Sequence, residues 1–172
     1  SAAKPGDVVT AFNGKTVEII STDAEGRMIL ADAISYAGKL GAKKIIDIAT
    51  LTGGVSIALG DAASGIVGND QELIDGIIAA GEAGGEKLWQ LPLYEEYKEY
   101  LESDAADFKN CSEHGKASSS VGATFLENFI EKGTAWAHID IASTAFLDKG
   151  SGYLGTGASG VGVRTLVRYL CS

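Results

Sequence analysis

The sequence predicts an α/β fold in which a mixed, largely parallel β-sheet is flanked by helices in three αβα layers. Strand-like and helix-like segments alternate along the 172 residues, which is typical of sheets with helical crossovers. Residues 44–49 form a mostly apolar run, which favours a strand covered on both faces. An Asn-Gly pair between two β-prone runs adds an antiparallel hairpin, so we expect both parallel and antiparallel pairings.

The first part of the chain predicts a hairpin, a helix and a strand, in that order. Two β-prone runs flank Asn13 and Gly14, which predicts a hairpin over residues 8–20. Apolar residues then recur at helical spacing, which predicts a helix over residues 27–40. The strand over residues 44–49 follows directly. This order predicts a crossover unit, with ligands expected beyond the carboxyl ends of its strands.

The rest of the chain continues the same alternation. It predicts a strand over residues 65–68, a helix over 71–83, a tyrosine-rich helix over 93–102, a helix over 123–132, a strand over 135–142 and a helix over 159–170. No repeat, linker or low-complexity tract interrupts this order. We therefore expect one domain over residues 1–172.

Composition and charge exclude several classes of protein. The chain is 45% hydrophobic, yet no apolar run reaches the roughly 18 to 20 residues that a membrane helix needs. The formal net charge of −9 gives no general attraction to nucleic acid or to anionic lipid. Two cysteines without a pattern, Cys111 and Cys171, support neither a disulfide framework nor a zinc ribbon. We expect a cytoplasmic protein with no nucleic-acid or membrane partner.

The best candidate for chemistry is an acidic run that ends in an arginine, Ser21-Thr22-Asp23-Ala24-Glu25-Gly26-Arg27. In an extended segment Asp23 and Glu25 leave the same face, so both carboxylates could converge on a cation. Arg27 could hold an anionic group beside them. A second interpretation stays open, in which Thr22 or Asp23 caps the following helix and Glu25 completes the capping arrangement.

Other patterns favour structural roles. Residues 155–160 match the dinucleotide pattern GxGxxG, but no strand leads directly into them, so we favour a glycine-rich helix start over a nucleotide site. His138 and Asp140 alternate on one face of an apolar strand, where a core histidine is the preferred interpretation over a ligand pair. His114 lies in a polar loop and is expected to be solvated. Residues 118–120 lack a nucleophile elbow and are expected to cap the next helix.

With its flanks, the acidic run closely resembles the signature of the leucyl aminopeptidases, the dinuclear-metal cytosol aminopeptidase family. Ser21 departs from the asparagine that normally begins this signature, at a position that is not a metal ligand. Further segments along the whole chain are similar to family segments: residues 4–8, 13–18, 49–53, 137–142 and 160–164.

The resemblance implies a metal-dependent hydrolase that removes N-terminal residues, leucine-like ones preferred, from peptides. Asp23 and Glu25 would then be ligands of two divalent ions, Mn²⁺ or Zn²⁺, with Glu25 bridging them. Arg27 would bind a bicarbonate-type anion that acts as the base near the reaction centre. Three residues after the next strand would line the substrate site: Thr50, Leu51 and Gly53. The resemblance also implies a homo-oligomer, since family members are usually hexamers.

The family pattern also includes an upstream segment with two lysines and two aspartates that bind metal or stabilise the oxyanion. None of that segment is in this sequence. We therefore expect the C-terminal portion of a catalytic domain, truncated at the N-terminus relative to the family, that has little activity alone. The alternative is a non-catalytic oligomerisation or scaffold module of the same fold.

Overall fold

The computed structural model describes residues 2–150, 152 and 154–171. Its strands are Val8–Thr10 (β1), Thr16–Glu18 (β2), Lys44–Ala49 (β3), Ser64–Gly68 (β4), Leu88–Gln90 (β5), Phe108–Lys109 (β6), Ala135–Asp140 (β7), Phe146–Leu147 (β8) and Gly157–Ala158 (β9). Its α-helices are Glu25–Lys39 (α1), Gly53–Leu59 (α2), Gln71–Gly84 (α3), Ser118–Glu127 (α4) and Val163–Cys171 (α5). Two 3₁₀ segments, Thr22–Ala24 and Glu95–Leu101, complete the elements.

The central sheet has four strands in the order β3-β7-β4-β5. β3 runs parallel to β7, β4 runs parallel to β5, and the pair β4 and β7 is antiparallel. The predicted mixed and largely parallel sheet is therefore confirmed. β7 lies between two neighbours, which agrees with the apolar character of its sequence.

Helices cover both faces of this sheet and complete the predicted three layers. Alternate residues of β7 point to opposite faces. Trp136 belongs to a core that also holds Ile34 of α1 and Phe125 of α4. Ile139 belongs to a second core on the other face, where Ile74 of α3 is buried. Burial of such side chains, roughly 1.5 to 3 kcal/mol each, stabilises the layered arrangement.

The hairpin is confirmed, but the predicted crossover unit is wrong. β1 and β2 pair antiparallel, and β2 pairs parallel with β6 in a separate three-stranded sheet. β2 and β3 therefore lie in different sheets, because β6 occupies the second edge of β2. β3 is an edge strand in which only Asp47 is fully buried. Ile45 packs against one core and Ile46 and Ile48 pack against the other, so both faces are partly covered, as predicted. The order of elements predicts a helix between strands but not which strands pair.

Three predicted helix boundaries need correction. The tyrosine-rich segment forms the 3₁₀ helix Glu95–Leu101 and not an α-helix. α4 begins at Ser118, so residues 118–120 are its first turn and not its caps. α5 begins later than residue 159, because Gly160 and Gly162 have positive φ angles of 67° and 91° that do not continue a helix. The glycine-rich run therefore does not open the helix directly.

The N-terminus of α5 is held by the buried carboxylate of Glu86. Its Oε2 accepts hydrogen bonds from the backbone N of Gly162 at 3.2 Å, the backbone N of Thr165 at 2.9 Å and Thr165 Oγ1 at 2.6 Å. Arg164 Nε lies 3.1 Å from Oε1. Burial raises the pKa of Glu86, but the hydrogen bonds from Thr165 and Arg164 outweigh it, so the net pKa is lowered.

No helix in the described part of the chain is long and apolar enough to span a bilayer.

Candidate active site

The acidic run lies at the end of β2 and folds into a turn. Residues Thr22–Ala24 form a 3₁₀ turn, and α1 begins at Glu25, so the expected extended segment is wrong. Ser21 is the cap, because its Oγ accepts a hydrogen bond from the backbone N of Asp23 at 3.3 Å. Asparagine and serine are equally good caps, so serine at this position preserves the capping role.

The carboxylates of Asp23 and Glu25 are exposed and unpaired. Neither side chain makes a hydrogen bond or an ion pair with any described residue, and the N-cap of α1 has no side-chain hydrogen bond. The interpretation of Thr22, Asp23 and Glu25 as a capping arrangement is therefore wrong. Both carboxylates are free to bind a cation.

The described residues do not form a metal site by themselves. They contain no group of three or more His, Cys, Asp and Glu side chains that could hold an ion. Oxygen-bound divalent ions take about six ligands, and a pair of ions needs a correspondingly larger set. Two free carboxylates fit one side of such a site and leave the other side to groups from elsewhere.

The guanidinium of Arg27 lies in the interior and makes no ion pair with any described residue. The side chain is 7% exposed, and Nη1 donates a hydrogen bond to the backbone O of Asn110 at 3.0 Å. Nε is buried and has no partner among the described residues. Burial lowers the pKa of Arg27, and the nearby Cys111 and Asp140 raise it by smaller amounts. Burial also raises the pKa of the Cys111 thiol, so this side chain is neutral and does not balance the charge.

A glycine of α4 brings Arg27 close to the loop between β3 and α2. A Cβ atom at Gly122 would lie 3.3 Å from Arg27 Nη2, 3.2 Å from Leu51 Cδ2 and 3.2 Å from Thr52 Cγ2. All three side chains therefore contact the space that a larger residue at this position would fill. The structure thus brings together Arg27 and Leu51, two of the predicted site residues.

Asp140 accepts hydrogen bonds from the loop that carries Thr50, Leu51 and Gly53. Asp140 Oδ1 accepts hydrogen bonds from the backbone N of Leu51 at 3.0 Å and of Thr52 at 3.4 Å. Thr52 Oγ1 lies 2.6 Å from Oδ2. Thr50, before α2, and Gly53, its first residue, are exposed. Asp23 and Glu25 make no hydrogen bond with this loop in the described structure.

Asn110 holds the end of β2 and the start of the acidic run, a role that no sequence pattern indicated. Its side chain is 1% exposed. Oδ1 accepts from the backbone N of Ile20 at 2.8 Å and of Ser21 at 3.2 Å, and Nδ2 donates to the backbone O of Ser21 at 2.7 Å. The same residue therefore positions both ends of the run, Ser21 through its amide and Arg27 through its carbonyl.

Both histidine predictions are confirmed. His138 is 1% exposed in the core, and its Nδ1 lies 2.5 Å from Asp47 Oδ1. Trp136 Nε1 donates to the other oxygen of Asp47 at 2.7 Å, whereas His138 Nε2 has no partner among the described residues. His114 is exposed.

The chain matches the cytosol aminopeptidase family, catalytic domain, over residues 1–167. A probable cytosol aminopeptidase of Geobacter sulfurreducens is 53% identical over 169 residues, which are 98% of this chain and 34% of that protein. The probable cytosol aminopeptidase of Parasynechococcus marenigrum is 50% identical over 172 residues, 100% of this chain and 35% of that protein. The chain spans about a third of the length of these curated relatives.

A solved structure of a tomato leucine aminopeptidase mutant has the same fold. It matches with a TM-score of 0.91 and 43% identity, over 97% of this chain and 32% of the tomato chain. The resemblance first drawn from the acidic run is therefore supported along the whole chain, in sequence and in three dimensions. This chain belongs to the cytosol aminopeptidase family.

Proposed function

We propose that this chain forms part of the active site of a metal-dependent aminopeptidase, which removes N-terminal residues, leucine-like ones preferred, from peptides. The observation that carries the proposal is the buried Arg27 guanidinium, which has an unpartnered Nε and no carboxylate within 4.0 Å in the described structure. It lies two residues from the unpaired Glu25. Such a charge is stable in the interior only with a compensating group, which an anion would provide.

Asp23 and Glu25 would hold two divalent ions, Mn²⁺ or Zn²⁺, with Glu25 between them. Carboxylate oxygens suit both metals, and neither side chain is engaged elsewhere in the described structure. The metal pair would supply Lewis-acid polarisation of the peptide carbonyl and an activated water, and the anion would supply a base. The described residues contain no group of three or more potential metal ligands. The other ligands would therefore come from outside these residues.

Arg27 would bind and orient a bicarbonate-type anion. A planar guanidinium grips a planar oxyanion with two parallel hydrogen bonds, which an ammonium group does not. The hydrogen bond from Nη1 to Asn110 fixes the plane of the guanidinium and leaves Nε and Nη2 for the anion. Thr50, Leu51 and Gly53 would line the substrate site on the side where Leu51 approaches Arg27.

The assembled protein would be a cytoplasmic homo-oligomer, a hexamer by the family resemblance, that acts on peptides. Its relatives are named cytosol aminopeptidases. The non-catalytic scaffold alternative is not favoured, because Asp23, Glu25 and Arg27 are all present and none is consumed by a side-chain ion pair. Light scattering of the intact protein would measure the number of subunits.

The proposal is tested by carboxylate variants in the intact enzyme that carries this chain. We expect Glu25→Gln to reduce kcat/KM for leucine p-nitroanilide at least roughly 100-fold and to weaken Mn²⁺ binding in a calorimetric titration. Glu96→Gln is the matched control, because Glu96 is an exposed glutamate on the Glu95–Leu101 segment. Unchanged kcat/KM and Mn²⁺ affinity in Glu25→Gln would contradict the proposal.

The chain by itself is expected to bind metal weakly and to have little activity. The reason is the incomplete ligand set of its described residues. The purified chain would be mixed with Mn²⁺ or Zn²⁺ and assayed with the same substrate. Robust hydrolysis by the chain alone would show that the ligand set is complete without further residues.

A further inference from the structure

Asp140 is a buried carboxylate with an unusual number of donors around it. It is 2% exposed at the end of β7. Oδ1 accepts from three backbone N–H groups, those of Leu51 at 3.0 Å, Thr52 at 3.4 Å and Ala142 at 3.3 Å, and Oδ2 accepts from Thr52 Oγ1 at 2.6 Å. No lysine or arginine nitrogen of the described residues lies within 4.0 Å of it. The donors that surround the carboxylate are therefore all neutral groups.

The direction of the hydrogen bonds between the helices and Asp140 follows from the negative charge of the carboxylate. An ionised carboxylate only accepts, so the hydroxyl of Thr52 donates to Asp140. Thr52 Oγ1 also lies 2.8 Å from Ser119 Oγ, so the hydroxyl of Ser119 donates to Thr52. The chain of donors runs from α4 through the loop to β7. It links three elements that surround Arg27.

Thr52 connects Asp140 to the surroundings of Arg27. The hydroxyl of Thr52 binds Asp140. A Cβ atom at Gly122 would lie 3.2 Å from the methyl group of Thr52 and 3.3 Å from Arg27 Nη2. Thr52, which binds Asp140, and Arg27 therefore both pack against Gly122 in the interior. In the interior, where the effective dielectric is low, opposite charges attract each other appreciably.

We propose that Asp140 is a positioning residue of this site, which fixes the Leu51–Thr52 backbone beside Arg27 and whose negative charge weakens the hold of Arg27 on an anion. This inference rests on the proposed function, because it concerns the anion that Arg27 would bind. The backbone of the substrate-lining loop is placed by the hydrogen bonds. The charge keeps a bound bicarbonate exchangeable, since an uncompensated buried guanidinium would retain it more tightly.

The variant that separates the two effects is Asp140→Asn in the intact enzyme. The amide oxygen keeps the three backbone donors, and the amide nitrogen donates to Thr52 Oγ1, which then donates to Ser119. Only the charge is lost. We expect the dissociation constant of bicarbonate, measured by calorimetric titration, to fall roughly 3- to 10-fold while KM changes less than about 2-fold.

Two further variants test the positioning role. Asp140→Ala removes every acceptor, so we expect faster amide hydrogen exchange at Leu51 and Thr52 and a KM at least about 10-fold higher, with Asp140→Asn restoring both. Thr52→Val removes only the hydroxyl group of Thr52. It is the alternative test if Asp140→Ala does not fold. It should raise KM about 3-fold or more and speed exchange at the same two amides.

Asp47→Asn is the matched control for these variants. Asp47 is also a buried aspartate of the central sheet, 8% exposed, but its hydrogen bonds go to Trp136 and His138 and not to the loop. Its substitution is expected to lower stability without changing the bicarbonate dissociation constant, KM or exchange at Leu51 and Thr52.

Bicarbonate binding that is unchanged or weaker in Asp140→Asn, or no bicarbonate binding by the unmodified protein, would overturn the electrostatic part. Slow exchange and an unchanged KM in Asp140→Ala or Thr52→Val would overturn the positioning part and leave a purely structural role. If the unmodified enzyme hydrolyses no peptide, the proposed function fails. The bicarbonate titration and the exchange rates then still decide the inference on Asp140.

Discussion

Replacement of Asn110 by alanine should destabilise the fold at the point where the site is attached to it. The side chain of Asn110 makes three hydrogen bonds to the backbone of Ile20 and Ser21, all in a region that is at least half-buried. Alanine leaves two N–H groups and one C=O group without these partners. Water can reach them only in part, because Asn110 itself is 1% exposed.

The size of the effect follows from the number of hydrogen bonds. Each contributes about 0.5 to 1.5 kcal/mol net, and an unsatisfied buried group costs more, so three bonds give about 2 to 4 kcal/mol. For a domain of this size the melting temperature falls roughly 2 to 4 °C per kcal/mol, which gives a decrease of roughly 5 to 15 °C. Urea unfolding followed by circular dichroism would measure the free energy, and a thermal scan would measure the melting temperature.

Asn13→Ala is the control for this experiment. Asn13 lies in the exposed hairpin turn, where its Oδ1 accepts one hydrogen bond from the backbone N of Lys15 at 3.1 Å. Its replacement should cost less than about 1 kcal/mol. A loss in Asn110→Ala that is no larger than in this control would refute the reasoning. It would mean that the amide does not determine how Ser21 and the acidic run are placed.

Three other substitutions have expected outcomes that the structure gives directly. The pKa of Glu86 is lowered in the folded state, so its carboxylate stabilises the fold at pH values above the ordinary glutamate pKa. This contribution is lost as pH falls through the folded-state pKa. The urea midpoint should therefore fall more steeply between pH 7 and pH 3 in the unmodified protein than in Glu86→Gln. In Gly81→Ala the new Cβ would lie 2.2 Å from Leu88 Cδ1 and 2.5 Å from the backbone oxygen of Glu86. Urea unfolding should therefore show a decrease of about 1 to 3 kcal/mol in the free energy of unfolding. Gly26→Ala in α1 is the control, because Gly26 has open space around it and its replacement should cause no decrease. Arg27→Lys should weaken bicarbonate binding at least roughly 10-fold in a calorimetric titration, because an ammonium group lacks the planar fork, and equal binding would contradict the role of the guanidinium.

The elements that the sequence predicted well are those with local signals. The hairpin follows from Asn13 and Gly14, whose φ angle of 88° is the left-handed conformation that glycine adopts readily. The first long helix follows from apolar residues at helical spacing, and the strand after it follows from a continuous apolar run. α2 was not predicted, because it begins with two glycines and glycine is a poor helix former. Its signal was weak, a threonine before a short apolar run.

The pairing of strands could not be obtained in the same way. β2 pairs with β6, which lies about ninety residues later and has only two residues, so no pattern in either segment predicts their contact. Periodicity states which face of a strand is buried and says nothing about its partner. The wrong crossover unit has this physical cause, since the same local signals are compatible with one sheet or with two.

The candidate site divides in the same manner. The candidate active-site residues Asp23, Glu25 and Arg27 lie in one short run, which is why the sequence predicted them together. The groups that place them are distant in sequence: Arg27 and Asn110 are 83 residues apart, and Leu51 and Asp140 are 89. Asparagine and aspartate have many ordinary roles in loops and strands. The sequence pattern suggested for Asp140 only a ligand pair with His138, and it indicated no positioning role for either Asp140 or Asn110.

The buried guanidinium connects this division to function. Burial of an arginine without a counter-ion is unfavourable, and an apolar residue at the start of α1 would give a more stable protein. The surrounding residues do not remove this cost. Gly122 allows α4 to pack closely beside the guanidinium, Asn110 accepts one hydrogen bond with its carbonyl, and Asp140 binds Thr52 and makes no ion pair with Arg27 in the described structure. Distant parts of the chain therefore cooperate to keep Arg27 charged, fixed in orientation and incompletely neutralised. That combination does not stabilise the fold, but it is what the proposed binding of an exchangeable anion requires.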